Sequence, residues 1–129
     1  MPGVAIKKYE RASPRKVNRL LSLIRGKDVI KARNTLMFLP TKTKVSVLKT
    51  LNSAVANLKN REGKLKIEDK DLYIKSAVVD GGSMMKRWRP GPFGMPHMIR
   101  RRTCHIKIMV DRKLNVSISD NVLYDKILG

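Results

Sequence analysis

The chain has 129 residues and a formal net charge of +19, with a sequence pI near 10.7. This length predicts one domain with a modest hydrophobic core. A field this positive attracts nucleic acid or anionic lipid and argues against an ordinary enzyme that acts on neutral ligands. The single cysteine excludes an intrachain disulfide, and no apolar run approaches the ~18 residues of a membrane helix. The first residues lack a signal-peptide pattern, so we expect a cytoplasmic protein.

The first part of the chain predicts a short strand followed by a helix. The alternation of residues from Val4 to Tyr9 favours the strand. The helix is expected to begin at Ser13, whose hydroxyl can cap the first turn, and to end at Gly26 in a left-handed conformation. Its inward face is expected to hold Val17, Leu20, Leu21 and Ile24.

Two further helices are expected before residue 61. Asp28 is expected to cap the second helix, which Pro40 ends. Thr41 is expected to cap the third and longest helix, which runs to about Asn60. The expected inward residues are Val29, Ala32 and Leu36 in the second helix, and Val47, Leu51, Ala54, Val55 and Leu58 in the third, with Val45 and Leu48 widening its apolar face.

The segment from residue 72 to residue 110 is expected to form a long β-hairpin. Apolar residues recur at every second position near both of its ends, and no acid occurs between Asp80 and Asp111. We therefore predict an α+β domain over residues 1-110, with three helices on a small antiparallel three-stranded sheet and a protruding hairpin. Residues 111-129 are a C-terminal extension of unknown role. The residues expected to share one strand face are Leu72, Ile74, Ser76 and Val78 in the first strand, and Cys104, Ile106, Ile108 and Val110 in the second.

The seven Lys and Arg residues between 86 and 107, with no acid among them, point to phosphate binding, although a charge run can also be a merely solvated face. Thr103 can add a neutral hydrogen bond to phosphate or ribose. Asn52 and Asn57 are either solvent-facing residues or contacts to sugar and base edges. Aromatic residues are scarce, so base stacking on an aromatic platform is not expected to carry binding.

The sequence argues against a metal centre and against an enzyme active site. Cys104 and His105 are adjacent and would point to opposite faces of a strand, and His97 supplies no second pair of ligands. The acids are scattered, and no nucleophile with an orienting base and no glycine-rich phosphate loop occurs. We expect no cofactor, no metal and no small-molecule substrate.

Four linked motifs occur in order from about residue 4 to residue 110. They are Ser13-Pro14-Arg15-Lys16 with Leu23-Ile24-Arg25-Gly26-Lys27, then Leu51-Asn52-Ser53-Ala54-Val55-Ala56-Asn57, then Val79-Asp80-Gly81-Gly82 with Lys86-Arg87 and Pro90, and finally Arg102-Thr103-Cys104-His105-Ile106. Together these motifs resemble the large-ribosomal-subunit protein twenty-two family. That resemblance implies a small α+β domain bound to large-subunit ribosomal RNA (rRNA), with neighbouring ribosomal proteins as partners. It also implies a hairpin that lines the exit tunnel of the nascent peptide.

Together, the charge pattern and the resemblance predict two groups of functional residues. The expected RNA contacts are Arg11, Arg15, Lys16, Arg19, Arg25, Lys27, Lys42, Lys49, Asn52, Asn57, Lys86, Arg87, Arg89, Arg100, Arg101, Arg102, Thr103 and His105. The residues expected to face the tunnel at the hairpin tip are Trp88, Pro90, Gly91, Pro92, Phe93, Gly94 and Met95.

The tip departs from the family pattern, because three positions that are usually basic are not basic between Pro90 and Pro96. The rival interpretation is an architectural DNA-binding protein with a basic β-arm in the minor groove. A cationic protein of the membrane surface is disfavoured, because the sheet must cover the apolar faces of the helices.

Overall fold

The computed structural model describes residues 2–63 and 66–113, which form three α-helices and five β-strands. The predicted α+β class, with three helices and a three-stranded antiparallel sheet, is confirmed. Most of the predicted extension lies outside the described residues. The elements are β1 (Gly3–Glu10), α1 (Pro14–Ile24), α2 (Val29–Phe38), α3 (Lys44–Arg61), β2 (Leu72–Gly81), β3 (Met85–Pro90), β4 (Pro96–Arg101) and β5 (Cys104–Arg112), with short 3-10 turns at Asp69–Asp71 and Pro92–Gly94.

The larger sheet has the order β1-β5-β2, with both pairs antiparallel. Helices cover one of its faces, since α3 packs on β1 and β5 while α1 packs on β2. The shared face predicted for β5 is confirmed as the buried face, and each large aliphatic side chain there contributes about 1.5–3 kcal/mol by its burial. Its fully buried residues are Cys104, Ile106, Ile108 and Val110.

The helices bury the predicted residues except for Val45 and the half-buried Leu48 of α3. Every predicted inward residue of the first two helices is buried, and so are the five main positions of α3. Val45, however, is 47% exposed, and Ser46 is buried in its place. Ser46 donates a hydrogen bond to Glu10 of β1 at 2.7 Å, so a polar contact holds the first turn of α3 to the sheet.

A β-bulge makes the prediction for β2 wrong after Ile74. Ile74 pairs with Val110, but Ser76 pairs with the next residue of β5, Met109, so Lys75 is an extra residue in the ladder. One extra residue reverses which side chains face the core. Ala77 is therefore buried instead of Val78, which is 42% exposed.

The helix ends differ from the prediction in their caps. Gly26 has φ 73, as the predicted left-handed end of α1 requires. The N-cap of α3 is Thr43 instead of Thr41. Ser13 and Asp28 occupy the expected N-cap positions, but neither side chain makes a capping hydrogen bond, so that part of the prediction is wrong.

The chain predicted as one long hairpin forms two separate sheets. β2 and β5 belong to the large sheet, whereas β3 and β4 form a two-stranded sheet that we call the basic ribbon. Between them, the Gly82 N–H donates to the Thr103 carbonyl at 2.9 Å, and the Thr103 hydroxyl donates to the Ser83 carbonyl at 2.6 Å. The two antiparallel pairs are established, and a single long protruding hairpin stays a prediction.

Candidate nucleic-acid interface

A basic pocket lies where the start of α1 meets the end of β4. Its volume is about 380 Å³, and a second pocket of about 440 Å³ shares two of its lining residues, Ser13 and Arg102. The charge pattern of the sequence predicted these cations as phosphate contacts, but it did not indicate that segments this far apart in the chain meet. The residues that line the two pockets are Arg11, Ser13, Pro14, Arg15, Lys16, Arg100, Arg101 and Arg102. We call this group the basic pocket.

The start of α1 adds backbone donors to the positive side chains of the basic pocket. Pro14 has no N–H, and the Ser13 hydroxyl leaves the remaining first-turn N–H groups uncapped. The first turn of α1 contains no acidic residue. Free N–H groups and the helix dipole both favour an anion at this position, so the basic pocket suits a phosphate group. Ser13 and Pro14 were predicted only as a helix start.

The basic ribbon presents cations on both of its faces. Residues directly opposite in an antiparallel pair share a face, and faces alternate along each strand. Lys86 pairs with Arg100 on one face, and Arg87 lies opposite Ile99 on the other. All six residues of β3 are exposed, as are all those of β4 except Ile99. The ribbon could therefore contact phosphates on two sides.

Within the described residues, the cations that form ion pairs are not the cations predicted to bind RNA. Asp69 pairs with both Arg33 and Lys59, and hydrogen bonds from Lys59 and then Arg33 hold the pKa of Asp69 below its usual value. Within the described residues, no acid forms an ion pair with a predicted RNA-binding cation. The cations in ion pairs are Lys7, Lys31, Arg33, Lys59, Lys70, Lys75 and Lys113.

Several predicted RNA contacts make hydrogen bonds inside the protein. Arg25 donates through Nε to the Ala77 carbonyl at 2.7 Å, which joins the end of α1 to β2. Asn57 donates to the Val4 carbonyl at 2.9 Å, which joins α3 to β1. These side chains support the fold, and an RNA contact by either of them stays a prediction.

Three more predicted contacts also have intramolecular partners. Asn52 accepts from Nε of Arg33 at 2.9 Å, and Nδ1 of His105 accepts from the Tyr9 N–H at 3.0 Å. Thr103 is only 6% exposed and bonds across the start of the ribbon. Lys27, Lys42 and Lys49 are exposed but do not line the basic pocket, and Arg19 lines a neighbouring cavity of about 460 Å³ together with Arg11 and Lys16.

Comparison with known proteins decides the family. The family model described as "Ribosomal protein L22p/L17e" matches residues 5–111. The chain belongs to this family. It is 42% identical over 113 residues to large ribosomal subunit protein uL22 of Halothermothrix orenii, a match that covers 88% of this chain and 97% of that protein. It is 44% identical over 114 residues to the protein of the same name from Deinococcus radiodurans, which covers 88% of this chain and 83% of that one.

Membership of the L22p/L17e family makes this chain a structural constituent of the large ribosomal subunit and not an enzyme. The resemblance inferred from the four motifs is thereby confirmed.

Within residues 2–63 and 66–113, no three His, Cys, Asp or Glu side chains are grouped so that they could hold a metal ion. Burial raises the pKa of the Cys104 thiol. No helix in the described ranges is long and apolar enough to cross a membrane.

Proposed function

We propose that this L22p/L17e protein binds large-subunit rRNA directly and aids subunit assembly in the cytoplasm. The observation that carries the proposal is the basic pocket, where six exposed cations from α1, the segment before it, β4 and the residue after β4 converge without an acid. Arginine is suited to this contact because its planar guanidinium group can donate two parallel hydrogen bonds to a phosphate. The ion pairs elsewhere in the described chain leave these cations available.

The distribution of charge favours folded RNA over duplex DNA as the partner. Cations lie on both faces of the basic ribbon and also around the start of α1. A folded RNA can place several backbone segments around such a surface, whereas a minor-groove arm presents its charges to one duplex. The apolar faces of the helices are buried against the sheet, which removes the surface that a membrane-bound helix would need.

Sedimentation of the full-length chain in a cell extract tests this proposal. We expect a tagged copy to sediment with the large subunit in a sucrose gradient and to be released by ribonuclease but not by deoxyribonuclease. A tagged copy in which Arg100 and Arg101, the basic-pocket cations of β4, are replaced by Gln serves as the matched control. This variant should shift towards the top of the gradient. Release of the wild-type chain by deoxyribonuclease alone would support the DNA-binding rival.

The tip of the basic ribbon supports a second part of the proposal, that it lines the nascent-peptide exit tunnel. The turn Pro92–Gly94 contains no charged residue, and Phe93 at its centre is fully exposed. Phe93 also has φ 59, a left-handed conformation that is uncommon for a bulky residue. This apolar surface has no role in phosphate binding and is suited to contact with a passing peptide. Trp88, by contrast, lies within β3 and outside the turn.

A chain that lacks residues 93–95 is expected to assemble into large subunits, because the deleted residues carry no phosphate-binding charge. Such subunits should show altered macrolide sensitivity or altered stalling of nascent peptides, which can be measured on purified ribosomes. Phe93→Asn is the matched variant, since Asn tolerates the left-handed conformation and removes only the apolar ring. Poor incorporation of the shortened chain, with normal stalling in the subunits that retain it, would make the tip an RNA anchor.

A further inference from the structure

Trp88 lies in the middle of β3 with 64% of its surface exposed, and it is the only tryptophan of the chain. Its cross-strand neighbour is Met98, which is 38% exposed. Tryptophan and methionine are both enriched at binding surfaces, where the broad indole supplies a large contact area. These two side chains form an apolar centre on one face of the basic ribbon.

Positive charge lies beside this apolar centre. Lys86 and Arg100 form the pair two residues away on the same face, and Pro90 and Pro96 form the pair on the other side of Trp88. Two residues of a strand span roughly 6.6 Å, a length comparable with one nucleotide of an extended single strand. A base that lies on the indole would therefore have its neighbouring phosphate within reach of a cation.

The opposite face of the ribbon is different. It carries Arg87, Arg89 and Arg101, with the half-buried Ile99 opposite Arg87. Arginine there can hold backbone phosphates, but the exposed aromatic surface of β3 is on the other side. The two faces thus favour different parts of an RNA. The arginine face suits the phosphates of a folded segment, and the Trp88 face suits an unpaired nucleotide.

We propose that Trp88 stacks on an unpaired base of RNA while Lys86 and Arg100 contact the adjoining phosphates. This inference rests on the proposed RNA-binding function and adds a base-contacting site to it. Every base has a π-face, so stacking on one indole requires no particular sequence. Charge complementarity selects a nucleic acid, because no acid interrupts the chain between Asp80 and Asp111 to attract a basic partner. The scarcity of aromatic residues does not conflict with this site, because stacking of a single base needs only one indole.

The single tryptophan makes the site directly observable in the full-length protein. We would titrate the protein with a uridine decamer and with an abasic decamer of the same backbone, and record indole fluorescence and affinity. The uridine decamer should quench the fluorescence, and the abasic decamer should bind without quenching it. Trp88→Ala should weaken binding of the uridine decamer about tenfold and leave the abasic decamer and the salt dependence unchanged. Trp88→Phe, which keeps a smaller ring, should retain part of the affinity.

The outcomes separate this site from the proposed function. Equal quenching by the two decamers would overturn stacking, because the indole would then respond only to the backbone. Salt-dependent binding of the uridine decamer without quenching would also overturn stacking while leaving RNA binding intact. Failure of both decamers and of large-subunit rRNA to bind would overturn the site and the proposed function together.

Discussion

Replacement of Arg100, Arg101 and Arg102 by Gln is expected to weaken binding to large-subunit rRNA by about a hundredfold near physiological salt. All three side chains are exposed and line the basic pocket beside Lys16. Each phosphate contact that is lost removes the release of a counterion, so the effect is electrostatic. The slope of log affinity against log salt should flatten by a little under one unit for each lost contact with duplex-like RNA. Because up to about three contacts are lost, the total flattening should be at most a little under about three units. A filter-binding or fluorescence titration at several salt concentrations measures both quantities.

A second triple variant separates local contact from total charge. Lys31, Lys70 and Lys75 form ion pairs with acids and do not line the basic pocket. Their replacement by Gln lowers the net charge by the same amount. We expect the salt slope to change by less than the loss of about one phosphate contact would cause. Equal flattening by the two triple variants would mean that binding follows overall charge. An unchanged slope in the arginine variant would move the phosphate contacts towards Arg15 and Arg19.

Gly3→Ala is expected to reduce the free energy of unfolding by about 2–4 kcal/mol, which is large for the addition of one methyl group. Gly3 is buried in β1, where it pairs with Val110 and faces α3. A Cβ built at this position overlaps the carbonyl oxygen of Ala54 and lies 2.6 Å from Cβ of Leu58. Both atoms belong to α3 and cannot rotate away, so β1 must separate from the helix. Urea unfolding monitored by circular dichroism measures the loss.

Gly81→Ala is the matched control for that prediction. Gly81 lies in β2, and a Cβ built there has no atom within 4 Å. This variant should change the free energy of unfolding by no more than about 0.5 kcal/mol. If the two variants were equally stable, the close packing of β1 on α3 would not contribute to stability. If they were equally destabilised, the loss would come from the strand conformation of glycine and not from the overlap with Ala54 and Leu58.

Local patterns carry much of the fold in this protein. The spacing of Val17, Leu21 and Ile24 predicts the buried face of α1, because side chains three and four apart lie on the same side of a helix. The alternation in β5 predicts its buried face for the corresponding reason in a strand. Both periodicities belong to single elements, so no knowledge of neighbouring elements is needed. The excess of cations predicted a polyanionic partner in the same way, since charge is additive over the chain.

The failures occur where one element depends on another. The bulge at Lys75 exists only in the pairing of β2 with β5, and it exchanges Val78 for Ala77 in the core. α3 begins two residues later than predicted, and its first turn directs Ser46 to Glu10 of β1 while Val45 stays exposed. A hydrogen bond to a distant partner outweighs a small preference for apolar burial.

The sequence by itself determined the charge, the three helices, the buried face of β5 and the family motifs, because each depends on residues that are near one another in the chain. Only the tertiary structure decided which cations are available and where they meet. In the folded chain, Arg33 and Lys59 form ion pairs with Asp69, and Lys16 lines the same pocket as Arg102. Such pairings depend on the packing of α1 and α3 against the sheet, and that packing brings together residues that lie far apart in the chain.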